Sequence, residues 1–217
     1  MAPTLVAAAV GALLAAALLG PAFDRRAVAV VVAAAVAPDL DAIASLAVTG
    51  ATNALFHAVW LPLLGAAALY WDTARGDSRL RARFGWRGVR VAWVALAAVL
   101  VAGIGTDLFG GSGANLLYPV HDAYYRIDGR LVFSTQEGIV QTFVGLGADG
   151  PGILPIASPG TTGTHAIPTF VNPDGRPGLA LDADRELSLV RSGWQLVVVA
   201  AAAATLAVRF GRPEVTE

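Results

Sequence analysis

Five apolar segments, each close to the length of a bilayer crossing, dominate this chain: 4–20, 27–48, 54–71, 89–109 and 194–210. A helix rises 1.5 Å per residue, so crossing a hydrocarbon core about 30 Å thick takes about 20 mostly apolar residues. Repeated five times, that pattern predicts an all-α multi-pass membrane protein with about five transmembrane helices. Composition agrees: 56% of the residues are hydrophobic and 14% charged, against about 25% charged in an ordinary globular domain. The first segment has no basic residues before it, so it reads as a retained anchor rather than a cleaved signal. Trp60, Trp71, Trp86, Trp93 and Trp194 fall mostly near segment ends, where indole rings favour the headgroup level.

Arginine placement orients the segments. Arg25 and Arg26 fill the first connection, Arg75, Arg79, Arg81, Arg83 and Arg87 crowd the third with Arg90 at the edge of the next segment, and Arg209 and Arg212 flank the end of the last segment. With five spans all three clusters fall on one face, which the positive-inside rule makes cytoplasmic. The N-terminus is then outside and the C-terminus cytoplasmic, in a multi-pass protein of the cell membrane. The chain divides into a helical bundle of four spans (1–109), an extracytoplasmic cap (110–192), and the last helix with a short cytoplasmic tail (193–217). The cap is rich in glycine and proline and is expected to be small, irregular and β-containing. Its stretch "YYRIDGRLVFST" predicts a hairpin turning at Asp128-Gly129, a pair suited to a type I′ turn. A net charge of −1 excludes a nucleic-acid binder, which concentrates basic charge. With no cysteine, disulfides and thiolate metal sites are excluded as well.

The polar residues inside the apolar segments carry the functional signal. Asp39 and Asp41 follow Pro38 in the second segment, His57 lies near the outer start of the third, and Asp107 at the outer end of the fourth. All four approach the same leaflet. Acids at membrane depth are costly and mark cavities or partners. On a regular helix, residues two apart point about 200° away from each other. Pro38 removes a hydrogen bond and breaks the helix, so both acids can turn inward. Carboxylates suit hard divalent cations, and an added imidazole extends the set to zinc or manganese. Each residue also has a purely structural reading: Asp39 as N-cap of a half-helix starting at Leu40, Asp107 as a cap, His57 as a lone hydrogen-bonded histidine.

The motifs "APDLD", "TNALFHAVW" and "GIGTDLFGGSGANLLYPV", in that order, resemble the membrane-bound, metal-dependent hydrolase family of the YdjM type. Its archaeal-type members continue in a way similar to "GRLVFSTQEGIVQTFV" and "SGWQLVVV". The resemblance spans nearly the whole chain. It implies a P-D-x-D motif at Asp39 and Asp41, the second histidine of an H-R-x-x-x-H motif at His57, and the acid of an H-x-x-x-D motif at Asp107. It therefore implies Asp39, Asp41, His57 and Asp107 as metal ligands, with Asp39 and Asp41 as the catalytic carboxylates. The cofactor is a divalent ion: zinc, manganese or magnesium. Where the family has its remaining motif residues, this chain has Thr52, Asn53 and Gly103, which shifts the donor set toward carboxylate and so toward magnesium or manganese. His121 and His165, in the external segment, are alternative imidazole donors or plain surface residues.

The implied activity is hydrolysis of an ester or phosphoester at the outer leaflet, on a lipid-linked substrate reached from the surrounding membrane lipids. The competing expectation is a catalytically degenerate relative with a binding or structural role, which Thr52, Asn53 and Gly103 favour. A transporter is disfavoured, because transporters are built on internal repeats and midplane sites, and this chain has no such repeat.

Overall fold

The computed structural model describes residues 3–144 and 151–211. Seven helices and one two-stranded sheet lie among them: α1 Thr4–Leu18, α2 Arg25–Val36, α3 Asp41–Ala44, α4 Trp60–Thr73, α5 Arg79–Ala98, α6 Gly105–Leu108, β1 Leu131–Ser134, β2 Gly138–Gln141 and α7 Gly193–Gly211. Three helical stretches are long and apolar enough to cross a membrane: Arg25–Ala44, Arg79–Leu108 and Gly193–Gly211. The first and third predicted segments form shorter helices, α1 and α4. The chain folds as two compact units.

One unit is the helical body formed by 3–37, 61–103 and 188–211. Here α1 packs on α2, α5 and α7, and α2 packs on α5. Apolar attraction between helices is weak in lipid, so close packing through small residues holds such bundles together. The core is accordingly rich in alanine, with Ala15, Ala35, Ala98 and Ala102 fully buried beside Leu19 and Val31. Gly11 allows α1 to approach α2: a Cβ built there would stand 2.6 Å from the Ala35 Cβ.

Helix ends in this unit are tied by charged side chains. Asp24 caps α2 by accepting from the Ala27 N–H at 2.8 Å, and its other oxygen meets Arg87 at 2.7 Å. Arg90 donates to the Leu18 carbonyl at the end of α1. Arg209 covers the Phe23 ring at 4.3 Å and Arg25 the Phe210 ring at 5.9 Å. Arginines from α2, α5 and α7 therefore meet at one end of this unit; Arg212 and the tail beyond it lie outside the described residues. Gly85, at φ 66°, interrupts α5 after Arg79, Arg81 and Arg83.

The other unit gathers 38–60 with 104–187. Its first strand of chain differs from the predicted third span, which was expected to be helical from residue 54. Helix α4 begins only at Trp60, and residues 45–59 form a run of turns. Asn53 takes a left-handed φ of 56°, a conformation asparagine tolerates better than most side chains. The run is held by distant partners. The Tyr124 hydroxyl lies 2.8 Å from both the Gly50 and Thr52 carbonyls, Asn115 N–H donates to the Asn53 carbonyl, and Val59 N–H to Leu116. Asn172 Nδ2 donates to the carbonyl and hydroxyl of Ser45. Irregular backbone survives near a membrane only where protein supplies its hydrogen bonds, and here residues 113–172 supply them.

The hairpin also differs from expectation. Strands β1 and β2 pair antiparallel with Phe133 opposite Ile139, and the chain turns at 135–137, where the Ser134 hydroxyl accepts from the Gln136 and Glu137 N–H groups. Asp128-Gly129 lies ahead of it. Tyr124 and Tyr125 are drawn away from that hairpin because both are fully buried: Tyr125 pairs with Ala114 and Tyr124 N–H donates to Gly160.

Candidate metal centre

All four sequence candidates lie in the second unit. Asp39 sits in the tight 3₁₀ turn Ala37–Leu40 that Pro38 imposes, and Asp41 opens α3 directly after it. A continuous helix would have turned these acids to opposite faces. Asp107 is carried by α6, which follows a wide π-helical turn over Val99–Ile104. Such insertions re-aim the residues after them and concentrate at functional sites. His57 ends the run of turns that precedes α4.

The four meet. The His57 ring lies between two acids, with Nδ1 2.9 Å from Asp41 Oδ2 and Nε2 2.9 Å from Asp107 Oδ2. Asp41 and His57 are fully buried and Asp107 is 1% exposed; Asp39 is half-buried. Asp39, His57 and Asp107 each offer one donor atom, and these atoms lie within 4.8 Å of one another. Asp41 stands outside that trio: its Oδ1 accepts the Phe56 N–H at 2.8 Å while Oδ2 faces Nδ1.

These distances fit a divalent ion. Donors about 2.1 to 2.4 Å from one cation stand about 3.0 Å apart when adjacent and at most about 4.8 Å apart when opposed. The chemistry fits as well. An ionised carboxylate only accepts hydrogen bonds, so a ring flanked by two of them calls for a proton on each nitrogen or a cation in place of one. Two carboxylates with one imidazole suit zinc, manganese or magnesium.

The remaining sequence candidates are committed elsewhere. The Thr52 carbonyl receives Tyr124, and Asn53 Nδ2 donates to Gly113 at 2.9 Å. Gly103 lies in the π-helical turn and offers no side chain. His165 Nε2 is engaged with the Ser112 carbonyl at 2.8 Å, and the His121 ring lies 6.4 Å from that of Tyr125. Neither joins a donor group of three among the described residues.

Three supporting residues went unnoticed in the sequence: Tyr124, Asn172 and Asp122. Asp122 accepts from Asn115 Nδ2 at 2.7 Å and from the hydroxyl and N–H of Thr162 at 2.6 and 3.0 Å. Burial pushes its carboxyl up, but the Thr162 and Asn115 donors outweigh burial and hold it below the ordinary carboxylate value. Burial, with the charges of Asp122 and Asp41, pushes the Tyr124 phenol well above its ordinary value, which keeps it a hydrogen-bond donor. Only the tyrosine pair carried a sequence signal, and that signal pointed to a strand. Compared with protein-family models, with curated proteins and with solved structures, the chain matches none of them.

Proposed function

We propose that this chain is a membrane-embedded, metal-dependent hydrolase of the YdjM type whose cation is held by Asp39, His57 and Asp107. The observation that carries the reading is the convergence of three donor atoms within 4.8 Å from three separate segments of the chain. Two buried acids about one buried imidazole are costly without a counter-charge. A bound cation supplies that counter-charge. Such an ion supplies Lewis-acid polarisation of an ester or phosphoester and a water acidic enough to attack it. The residues of the chain orient and move protons around it. Asp39, the most solvent-reached of the four, would hold the ion through one carboxylate oxygen and accept a proton from water through the other as general base.

The arginines gathered at one end of the helical unit support a topology in which that end is cytoplasmic. Five segments then enter the membrane, with α1 and α4 as the two short ones, and the N-terminus and 110–192 lie outside. The site opens toward the outer leaflet, where membrane lipids or a lipid-linked ester is the substrate. A second reading, a catalytically degenerate relative with a binding or structural role in the membrane, draws on Thr52, Asn53 and Gly103, which leave His57 the one imidazole of the donor trio.

Metal analysis of detergent-purified protein tests the proposal. About one divalent ion per chain is expected, with a higher melting temperature when Mn²⁺ or Zn²⁺ is added. A ligand at 100 times its Kd stabilises by about 2.7 kcal/mol. Asp39→Asn and His57→Ala remove both effects. Hydrolysis of chromogenic esters and phosphoesters then separates the enzyme from the inactive binder. A chain that takes up no divalent ion, and melts higher as Asp39→Asn than as wild type, overturns the proposal.

A further inference from the structure

We infer that Asp41 is a positioning residue for His57 and not a ligand of the cation, an inference that rests on the trio Asp39, His57 and Asp107 holding one. The reasoning begins with how both Asp41 oxygens are used. Oδ1 accepts the Phe56 N–H at 2.8 Å and Oδ2 lies 2.9 Å from His57 Nδ1. One carboxylate therefore grips the backbone at 56 and the ring at 57, two adjacent points that together set where the imidazole stands and how it is rotated. The grip is dry, since Asp41 and His57 have no solvent exposure, and water does not compete for either hydrogen bond.

The two imidazole nitrogens point outward from different edges of the ring. An oxygen bonded to Nδ1 stands away from the edge that faces Asp107, whose Oδ2 lies 2.9 Å from Nε2. Asp41 thus faces a different ring edge from Asp107, and it is not among the three residues whose donor atoms gather within 4.8 Å. Its position serves another purpose. A carboxylate on Nδ1 holds the proton there, leaves the Nε2 lone pair directed at the acids, and raises the basicity of the ring toward a metal. The P-D-x-D pair then divides its labour: Asp39 belongs to the donor set and Asp41, two residues on, to the shell that aims the histidine. The broken helix after Pro38 makes this possible, because the 3₁₀ turn places Asp39 while α3 carries Asp41 to the far side of the ring.

Titration of the detergent-purified full chain with Co²⁺, followed by visible absorption, tests the assignment. Asp41→Asn is expected to weaken Co²⁺ binding by about 10- to 100-fold and to leave the spectrum at saturation unchanged, because the ligand set is intact. Asp39→Asn is expected to change or abolish that spectrum. A changed saturated spectrum in Asp41→Asn makes Asp41 a ligand and overturns the inference, as does an unchanged affinity. Wild-type protein that binds no Co²⁺ at all overturns the underlying metal reading instead, and the inference with it. Should Asp41→Asn fail to fold, the wild type still decides. With only three histidines in the chain, ¹⁵N-histidine spectra of the Zn²⁺-loaded protein should show His57 protonated at Nδ1 and metal-bound at Nε2. The opposite tautomer refutes the role.

Discussion

Replacing Tyr124 by phenylalanine should loosen the candidate site without touching any of its four residues. The Tyr124 hydroxyl lies 2.8 Å from both the Gly50 and Thr52 carbonyls, and the side chain is fully buried. Tyr124→Phe keeps the ring and its packing against Ala54 and Ile167 but leaves buried carbonyl oxygen without its donor. An orphaned buried acceptor costs about 1–3 kcal/mol. That cost falls on the turns at 50–57, which carry His57, so local opening becomes easier by a factor of about 5 to 150. Hydrogen exchange reads this directly, because the Phe56 amide is protected by Asp41. Its exchange should accelerate by that factor, while amides of α1 and α2, in the other unit, keep their rates. Tyr125→Phe is the control: its hydroxyl accepts a single bond from the Ile153 N–H, in a half-buried setting, and Phe56 exchange should not change. Unchanged exchange at Phe56 in Tyr124→Phe, or equal acceleration in both variants, would refute the idea that the cap residues hold the histidine loop.

Three further outcomes are expected. The carboxyl of Asp122 is held below its ordinary value in the folded chain, so the unfolded chain binds the proton more readily; the stabilisation is present above the ordinary carboxylate pKa and is lost as pH falls through the depressed value. Melting curves taken from neutral to acid pH should therefore show a fall in wild type that is shallower in Asp122→Asn, and parallel curves would sink the assignment. Gly11→Leu should destabilise the helical unit by about 1–3 kcal/mol through overpacking, because even a Cβ there would stand 2.6 Å from Ala35; chemical denaturation measures it, and a neutral result would mean that α1 and α2 do not meet as described. Single cysteines placed at Asp77 and Asp182 test the topology in intact cells, where only Asp182→Cys should react with an impermeant thiol reagent.

What the sequence determined by itself was local. Apolar length and sparse charge dictate helices suited to lipid, and three stretches reach crossing length. Pro38 dictates a break, since a missing N–H and a fixed φ act on the residues beside it, and a 3₁₀ turn stands there. The residue types at 39, 41, 57 and 107 announce their chemistry wherever they are placed. The tertiary structure decided the rest, because the relevant partners are far away along the chain. No local rule takes residues 54–59 out of a helix; Tyr124, Asn115 and Asn172 hold the run of turns by supplying hydrogen bonds from 60 residues or more downstream. The same contacts move the hairpin turn from 128–129 to 135–137, because the two tyrosines are worth more in a core than on an exposed strand. They also decide which edge of the His57 ring each acid faces. Spacing of two residues between Asp39 and Asp41 is compatible with either acid on either nitrogen. Only the path of the chain through Asn53 and Phe56 sets Asp41 against Nδ1 and leaves Nε2 to Asp107.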